Sequence, residues 1–241
     1  MGAHLSEPVR TKEVEDATEG DICVGVASMQ GWRNSMEDAH VFDLQVGGTN
    51  AKLFAVFDGH GGREVAMFAA KELSQTLASL PEFKDGNYGE AMRLAFLKID
   101  EQIQTPEGKT WLSENRDREP RPITEELKNI EEQIGVKVSK LMQKAQDEDG
   151  NAGCTAVAVL LVDDTYYIAN AGDSRASLCR GGSTIEFTLD HGPELQSEID
   201  RIEKVYFFLK FHVRQVQSTS VQFFGSYNFL TFLQFLLLYR K

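Results

Sequence analysis

Two short stretches carry the groups from which a reaction could be built. Phe54-Ala55-Val56-Phe57-Asp58-Gly59-His60-Gly61-Gly62 is an apolar run that ends abruptly in a carboxylate, then a glycine, an imidazole and two more glycines. Upstream, Gly31-Trp32-Arg33-Asn34-Ser35-Met36-Glu37-Asp38-Ala39-His40 sets an arginine and two adjacent carboxylates beside another short apolar segment. Carboxylate and backbone carbonyl oxygens are the donors that hard divalent cations prefer, and glycines let a ligand approach the backbone. Each stretch alone also has an ordinary reading. Asp-Gly is a common turn, and adjacent Glu and Asp usually mark a solvated surface. The pair together is much more specific than either.

The elements that must hold these groups follow from periodicity. Lys52 to Phe57 reads as a buried strand that delivers Asp58 to a cleft. Ile22 to Ser28 and Ala39 to Leu44 read as strands around the Arg33/Glu37/Asp38 turn, and Gly47-Gly48-Thr49-Asn50 closes a hairpin, so the sheet is antiparallel. From Gly62 the period becomes helical, with Val65, Phe68, Ala69, Leu73 and Leu77 on one stripe that should pack on that sheet. A second helix spans Tyr88 to Gln104, separated from the first by Pro81 and Gly86. Residues 105–123 read as loop because of Pro106, Gly108, Pro120 and Pro122, and a third helix is expected over Thr124 to Gln146. Asp147 to Asn151 reads as a solvated acidic turn. Strands return at Cys154–Val162, Thr165–Asn170, Arg175–Arg180 and Thr184–Leu189, with turns at Asp163-Asp164 and Gly181-Gly182. A helix begins at Glu198.

Composition narrows the classes. With 41% hydrophobic and 26% charged residues in 241, the chain reads as an ordinary globular protein. A net charge of −12 argues against non-specific nucleic-acid binding, which needs a basic face. Cys23, Cys154 and Cys179 lie in strand-like runs with no paired spacing, which suggests buried reduced thiols and a cytoplasmic protein. Residues 1–20 look like an extended arm with no apolar leader segment, though Met1-Gly2-Ala3-His4-Leu5-Ser6 fits the N-myristoylation pattern at Gly2. A single acyl chain gives only weak membrane association. The last segment, from residue 205 on, differs sharply from the rest: it holds eight of the fifteen Phe, no Asp or Glu, and a charge of +4. Foreign sequence or alternative termination is one reading of it. A hydrophobic anchor is the other, although the longest apolar stretch, Phe223 to Tyr239, is short and polar for a membrane span.

Arg33 with Glu37-Asp38, Asp58-Gly59-His60, the turn Ala171-Gly172-Asp173-Ser174-Arg175 and Asp190-His191 together resemble the PP2C (PPM) family of metal-dependent protein serine/threonine phosphatases, over residues 20 to 203. The resemblance implies an α+β fold, a sandwich of two antiparallel sheets flanked by helices (αββα). It implies Mn²⁺ or Mg²⁺ as cofactor and phosphoproteins as substrates of a monomer that is cytoplasmic, nuclear or peripherally membrane-associated. By resemblance Asp58 bridges two metal ions, the Gly59 carbonyl and Glu37 hold one of them, Asp38 lies beside it, and Asp173 helps hold a weaker third. Arg33 then clamps the substrate phosphate and His60 acts as general acid. The family also uses aspartates from a later part of the domain, whereas the last Asp here is Asp200 and the last Glu is Glu203. The expectation is therefore an arm over 1–20, a partial phosphatase domain over 21–203 and an atypical tail over 204–241, with sheet edges left unpaired. The alternative function is a catalytically impaired fragment that binds phosphoproteins or regulatory partners.

Overall fold

The computed structural model of the chain describes residues 5–116, 152–205 and 235–240. Its centre is a four-stranded antiparallel sheet in the order β3-β4-β7-β8, made of β3 (Ala39–Asp43), β4 (Lys52–Phe57), β7 (Ala156–Val162) and β8 (Thr165–Ala171). The β3–β4 hairpin turns through Val46–Gly48, and β7–β8 turns at Asp163, whose φ of 53° is left-handed. Beyond β4, the two-residue strands β5 (Gly59–His60) and β6 (Gly153–Cys154) pair with each other. A second sheet holds β1 (Val9–Glu19) and β2 (Ile22–Gly31), and a small hairpin pairs β9 (Ser177–Arg180) with β10 (Ser183–Glu186).

β4 is covered on both faces. Leu53, Ala55 and Phe57 face Ala66, Phe68, Leu73 and Leu77 of α1 (Glu64–Ser79) and Ala91, Met92, Ala95 and Ile99 of α3 (Tyr88–Gln104). The short α2 (Pro81–Lys84) lies between these helices and adds Phe83 to the same core. On its other face Phe54 joins Leu161, Val24 and Val26 between the two sheets. Burying each of the larger apolar side chains among these contributes about 1.5–3 kcal/mol. Ser74 of α1 also donates to the Asp43 carboxylate at the end of β3, which fixes helix against sheet. The expected α+β, antiparallel, helix-on-sheet architecture is present.

Several expectations need correction. The N-terminal segment is not a free arm: Val9–Glu19 pairs antiparallel with β2, from Glu19↔Ile22 to Val9↔Gly31. Its side chains are almost all exposed, so backbone hydrogen bonding rather than apolar alternation holds it. Residues 106–115 are not loop but a helix, α4 (Pro106–Asn115). Thr105 caps it, accepting from the Gly108 N–H at 3.0 Å, and Pro106 occupies the first turn, where proline suits a helix start. Trp111 anchors α4 edge-on to Phe68 at 5.3 Å. The single strand expected from Cys154 is interrupted at Thr155. All three cysteines are free, but Cys179 is exposed and Cys23 and Cys154 are half-buried. The exposed edge of β2 is paired after all, with β11 (Phe235–Arg240) running antiparallel to it from Phe235↔Ala27 to Arg240↔Ile22. The helix over Gln196–Val205, α5, matches the expected one. The helix expected over 124–146 and the acidic turn at 147–151 lie outside the described residues. Among the described residues no helix is long and apolar enough to cross a membrane.

Leu73→Ala, in the core between α1 and β4, is expected to lower stability in urea by about 3 kcal/mol. Leu97→Ala, at 48% exposure on α3, should stay within about 0.5 kcal/mol of the parent. Equal losses would remove this helix-on-sheet interface from the account.

Candidate active site

The site lies where β4 runs out of cover. The β3–β4 register ends at Ala39↔Phe57, so the next pair across the ladder is Asp38 opposite Asp58. Residues directly opposite in an antiparallel pair share a face, and the Asp58 carboxylate acts electrostatically on that of Asp38. One step further, Glu37 stands opposite Gly59. A Cβ at Gly59 would overlap the Glu37 carbonyl, so only glycine permits that approach. On the other side of β4 the register runs through Val56↔Val157 and resumes at Gly59↔Cys154, which places Thr155 opposite Asp58. The Thr155 N–H donates to the Asp58 carbonyl at 2.9 Å, while the Asp58 N–H donates to the Thr155 hydroxyl oxygen at 3.2 Å.

The other residues singled out in the sequence gather around this row. His60 lies within electrostatic reach of Asp58, and a Cβ on Gly153 would fall 2.6 Å from its Nε2, so Gly153 makes the space for the imidazole. Asp173 sits on the Gly172-Asp173-Ser174 turn, close enough to be the strongest charge acting on Asp58. That turn is held from two sides. Ser174 Oγ meets Thr155 Oγ1 at 2.6 Å, and the Gly172 N–H donates to His191 Nδ1 at 3.3 Å. Arg175 grips Asp190 through two bonds of 2.8 and 2.6 Å. Arg33 is half-buried and acts electrostatically on both Asp38 and Asp58. The Glu37 carboxylate itself turns to the Ser35 hydroxyl at 2.9 Å. Thr155, Ser174 and Gly153 were missed as site residues. A glycine inside a strand pattern is the signal that could have found Gly153.

Crowding of acids sets the protonation of the site. Burial, with Asp58 and Glu37 beside it, pushes the Asp38 carboxyl up to about 7, against the pull of Arg33. Asp58 is raised by burial and by Asp173. Burial lowers His60, opposed by Asp58, Glu37 and Asp173. The Cys154 thiol nearby is pushed up to about 12, chiefly by burial, which leaves it no role as a nucleophile.

Hard oxygen donors crowded until one of them is raised to about 7 are a repulsion that a divalent cation would relieve. Among the described residues, no three His, Cys, Asp or Glu side chains converge as ligands of one ion. Asp38 stands opposite Asp58, Asp173 acts on Asp58 from the facing turn, and Glu37 brings its backbone carbonyl against Gly59 while its carboxylate turns to Ser35. The donor set therefore fits a hard cation in type, with Asp58 at its centre.

The fold thus brings acidic groups together at the end of a strand covered on both faces. The protein phosphatase 2C family model matches residues 22–119 and 106–216, and the chain belongs to that family. Relatives include "Probable protein phosphatase 2C 3" of Paramecium tetraurelia, 38% identical over 205 residues, which are 85% of this chain and 59% of that protein. "Probable protein phosphatase 2C 11" of Oryza sativa subsp. japonica is 34% identical over 229 residues, covering 87% of this chain and 60% of its own. The chain thus spans about three fifths of the length of these relatives. The solved serine-threonine phosphatase 2C from Toxoplasma gondii is 19% identical, covering 83% of this chain and 58% of its own, at a TM-score of 0.43.

The raised Asp38 carboxyl gives a pH test. The folded state holds this proton more tightly than the unfolded chain, so stability is lost as pH rises through about 7. His60 acts in the opposite sense, but only below its ordinary value of 6.5. In EDTA the melting temperature should fall between about pH 6.5 and pH 8, and Asp38→Asn should flatten that fall. An equally steep fall in the variant would show that Asp38 does not hold the proton.

Proposed function

We propose that this chain hydrolyses phosphoserine and phosphothreonine esters in protein substrates, with Mn²⁺ or Mg²⁺ held by Asp58, Glu37, Asp38, the Gly59 carbonyl and Asp173. The observation that carries this reading is that Asp38 stands opposite Asp58 across the β3–β4 ladder while Asp173 acts on Asp58 from the facing turn. When bound, such cations supply an acidified water as nucleophile and neutralise charge on phosphoryl oxygens.

The protein's own residues do the rest. Arg33 engages the phosphoryl oxygens with its planar fork and offsets the acidic surroundings. Asp58, fixed by the β3–β4–β7 register, orients the attacking side of the site. As the phosphorus–oxygen bond to the substrate side chain breaks, His60 gives a proton to the departing serine or threonine oxygen. Burial alone disfavours the charged imidazole, and an incoming phosphate dianion favours it, so substrate binding loads this acid. From the sequence we also propose a monomer acting on phosphoproteins in the cytoplasm, the nucleus or at a membrane periphery, with Gly2 as a candidate myristoylation site.

With a phosphoserine peptide and Mn²⁺, the parent chain should release inorganic phosphate and Asp58→Ala should lose at least ~10³-fold in kcat/KM. Arg33→Ala should act mainly on KM, by ~10-fold or more. Turnover by the parent that Asp58→Ala leaves untouched would reject the assignment.

A further inference from the structure

The relation between Thr155 and Ser174 carries a second conclusion, which rests on the metal reading above. In a regular antiparallel pair the Asp58 N–H would donate to the backbone carbonyl of the residue opposite. Here it donates to that residue's side-chain hydroxyl, at 3.2 Å, although the return bond from the Thr155 N–H to the Asp58 carbonyl is an ordinary 2.9 Å. Thr155 is only 7% exposed, so its own hydroxyl proton needs an acceptor within the protein. Ser174 Oγ lies 2.6 Å away and provides one. Contacts therefore run from the Asp58 N–H to Thr155 Oγ1 and on to Ser174 Oγ, one residue past Asp173, and either hydroxyl can donate between the two.

The contact is built closely on the Asp173 side as well. Gly172 has a φ of 117°, and a Cβ there would sit 2.7 Å from the Thr155 side chain. The bare glycine lets the turn close onto Thr155. His191 clamps the same residue from outside, its N–H donating to the Gly172 carbonyl at 3.0 Å while its Nδ1 accepts from the Gly172 N–H.

We infer that Thr155 and Ser174 are positioning residues for cation binding. Their paired hydroxyls hold the Asp58 end of β4 and the Asp173 turn at a fixed separation, so that carboxylates from two distant parts of the chain address one site. Neither hydroxyl is assigned a ligand role.

The test uses the full chain and two measurements. In EDTA, hydrogen exchange of the Asp58 amide should be ~10-fold faster in Thr155→Val, which keeps the shape and deletes the hydroxyl, as loss of one hydrogen bond implies. Ser174→Ala should speed the same amide, and Thr155→Ser should restore the parent rate. With Mn²⁺ alone, calorimetry should show affinity ~10-fold weaker in Thr155→Val and Ser174→Ala, and within ~2-fold of the parent in Thr155→Ser, the range seen when groups supporting metal ligands are removed. Unchanged Asp58 exchange in Ser174→Ala overturns the inference, as does unchanged Mn²⁺ affinity in both hydroxyl-deleted variants. A parent chain that takes up no Mn²⁺ overturns the positioning role together with the metal reading. Parent-like Mn²⁺ binding in both Thr155→Val and Ser174→Ala, beside a parent that does bind, overturns the positioning role alone.

Discussion

Strand register is the constraint on which the site depends. Asp38, Asp58 and Thr155 form one row across three strands, because the β3–β4 pairing continues one step past Ala39↔Phe57 and the β4–β7 pairing passes through the same point to Gly59↔Cys154. A slip of one residue in either pairing would send a side chain of that row to the opposite face. What prevents the slip is burial. β4 presents Leu53, Ala55 and Phe57 to the helices and Phe54 to the second sheet, and a shift would expose all of them at once. The packing energy of the strand thus holds two carboxylates together against their mutual repulsion. In a mobile loop the same groups would separate.

That mechanism explains how much could be read beforehand. β4, α1 and α3 were visible because their burial is one-sided or complete and so leaves a clear period: Lys52–Phe57 and Tyr88–Gln104 have the expected limits. Arg33, Asp38, Asp58, His60 and Asp173 were visible as residue types beside glycines, and the fold brings them within electrostatic range of each other. Their spatial order was not visible. Nothing in the spacing of Asp38 and Asp58 says that they face each other, since that follows from a hairpin register set by the turn at Val46–Gly48.

Elements held by backbone pairing alone left no trace in the sequence. β1 alternates charges with few apolar residues and reads as solvated, although it pairs with β2 along most of its length. α4 was hidden by its own start signal, because Pro106 after Thr105 looks like a break unless the cap is recognised. Thr155 was absorbed into a strand pattern, and its function depends on a hydroxyl replacing a carbonyl in the ladder. Such a substitution leaves hydrophobic periodicity unchanged and can be seen only once the partner strand is known.

The acidity of the site bears directly on the proposed reaction. In the proposed reaction a phosphate ester arrives as a dianion at a protein of net charge −12, and the site proposed to receive it holds Glu37, Asp38, Asp58 and Asp173. Arg33 alone cannot reverse that field. Protons neutralise part of it near pH 7, as the raised Asp38 carboxyl indicates, but one proton on a pair of carboxylates leaves the pair with net negative charge. A divalent cation in the same place cancels both charges, and a second would make the pocket attractive to phosphate. On this reading cation binding comes before substrate binding for electrostatic reasons. The carboxylates that seem unsuited to an anionic substrate become the means of drawing it in.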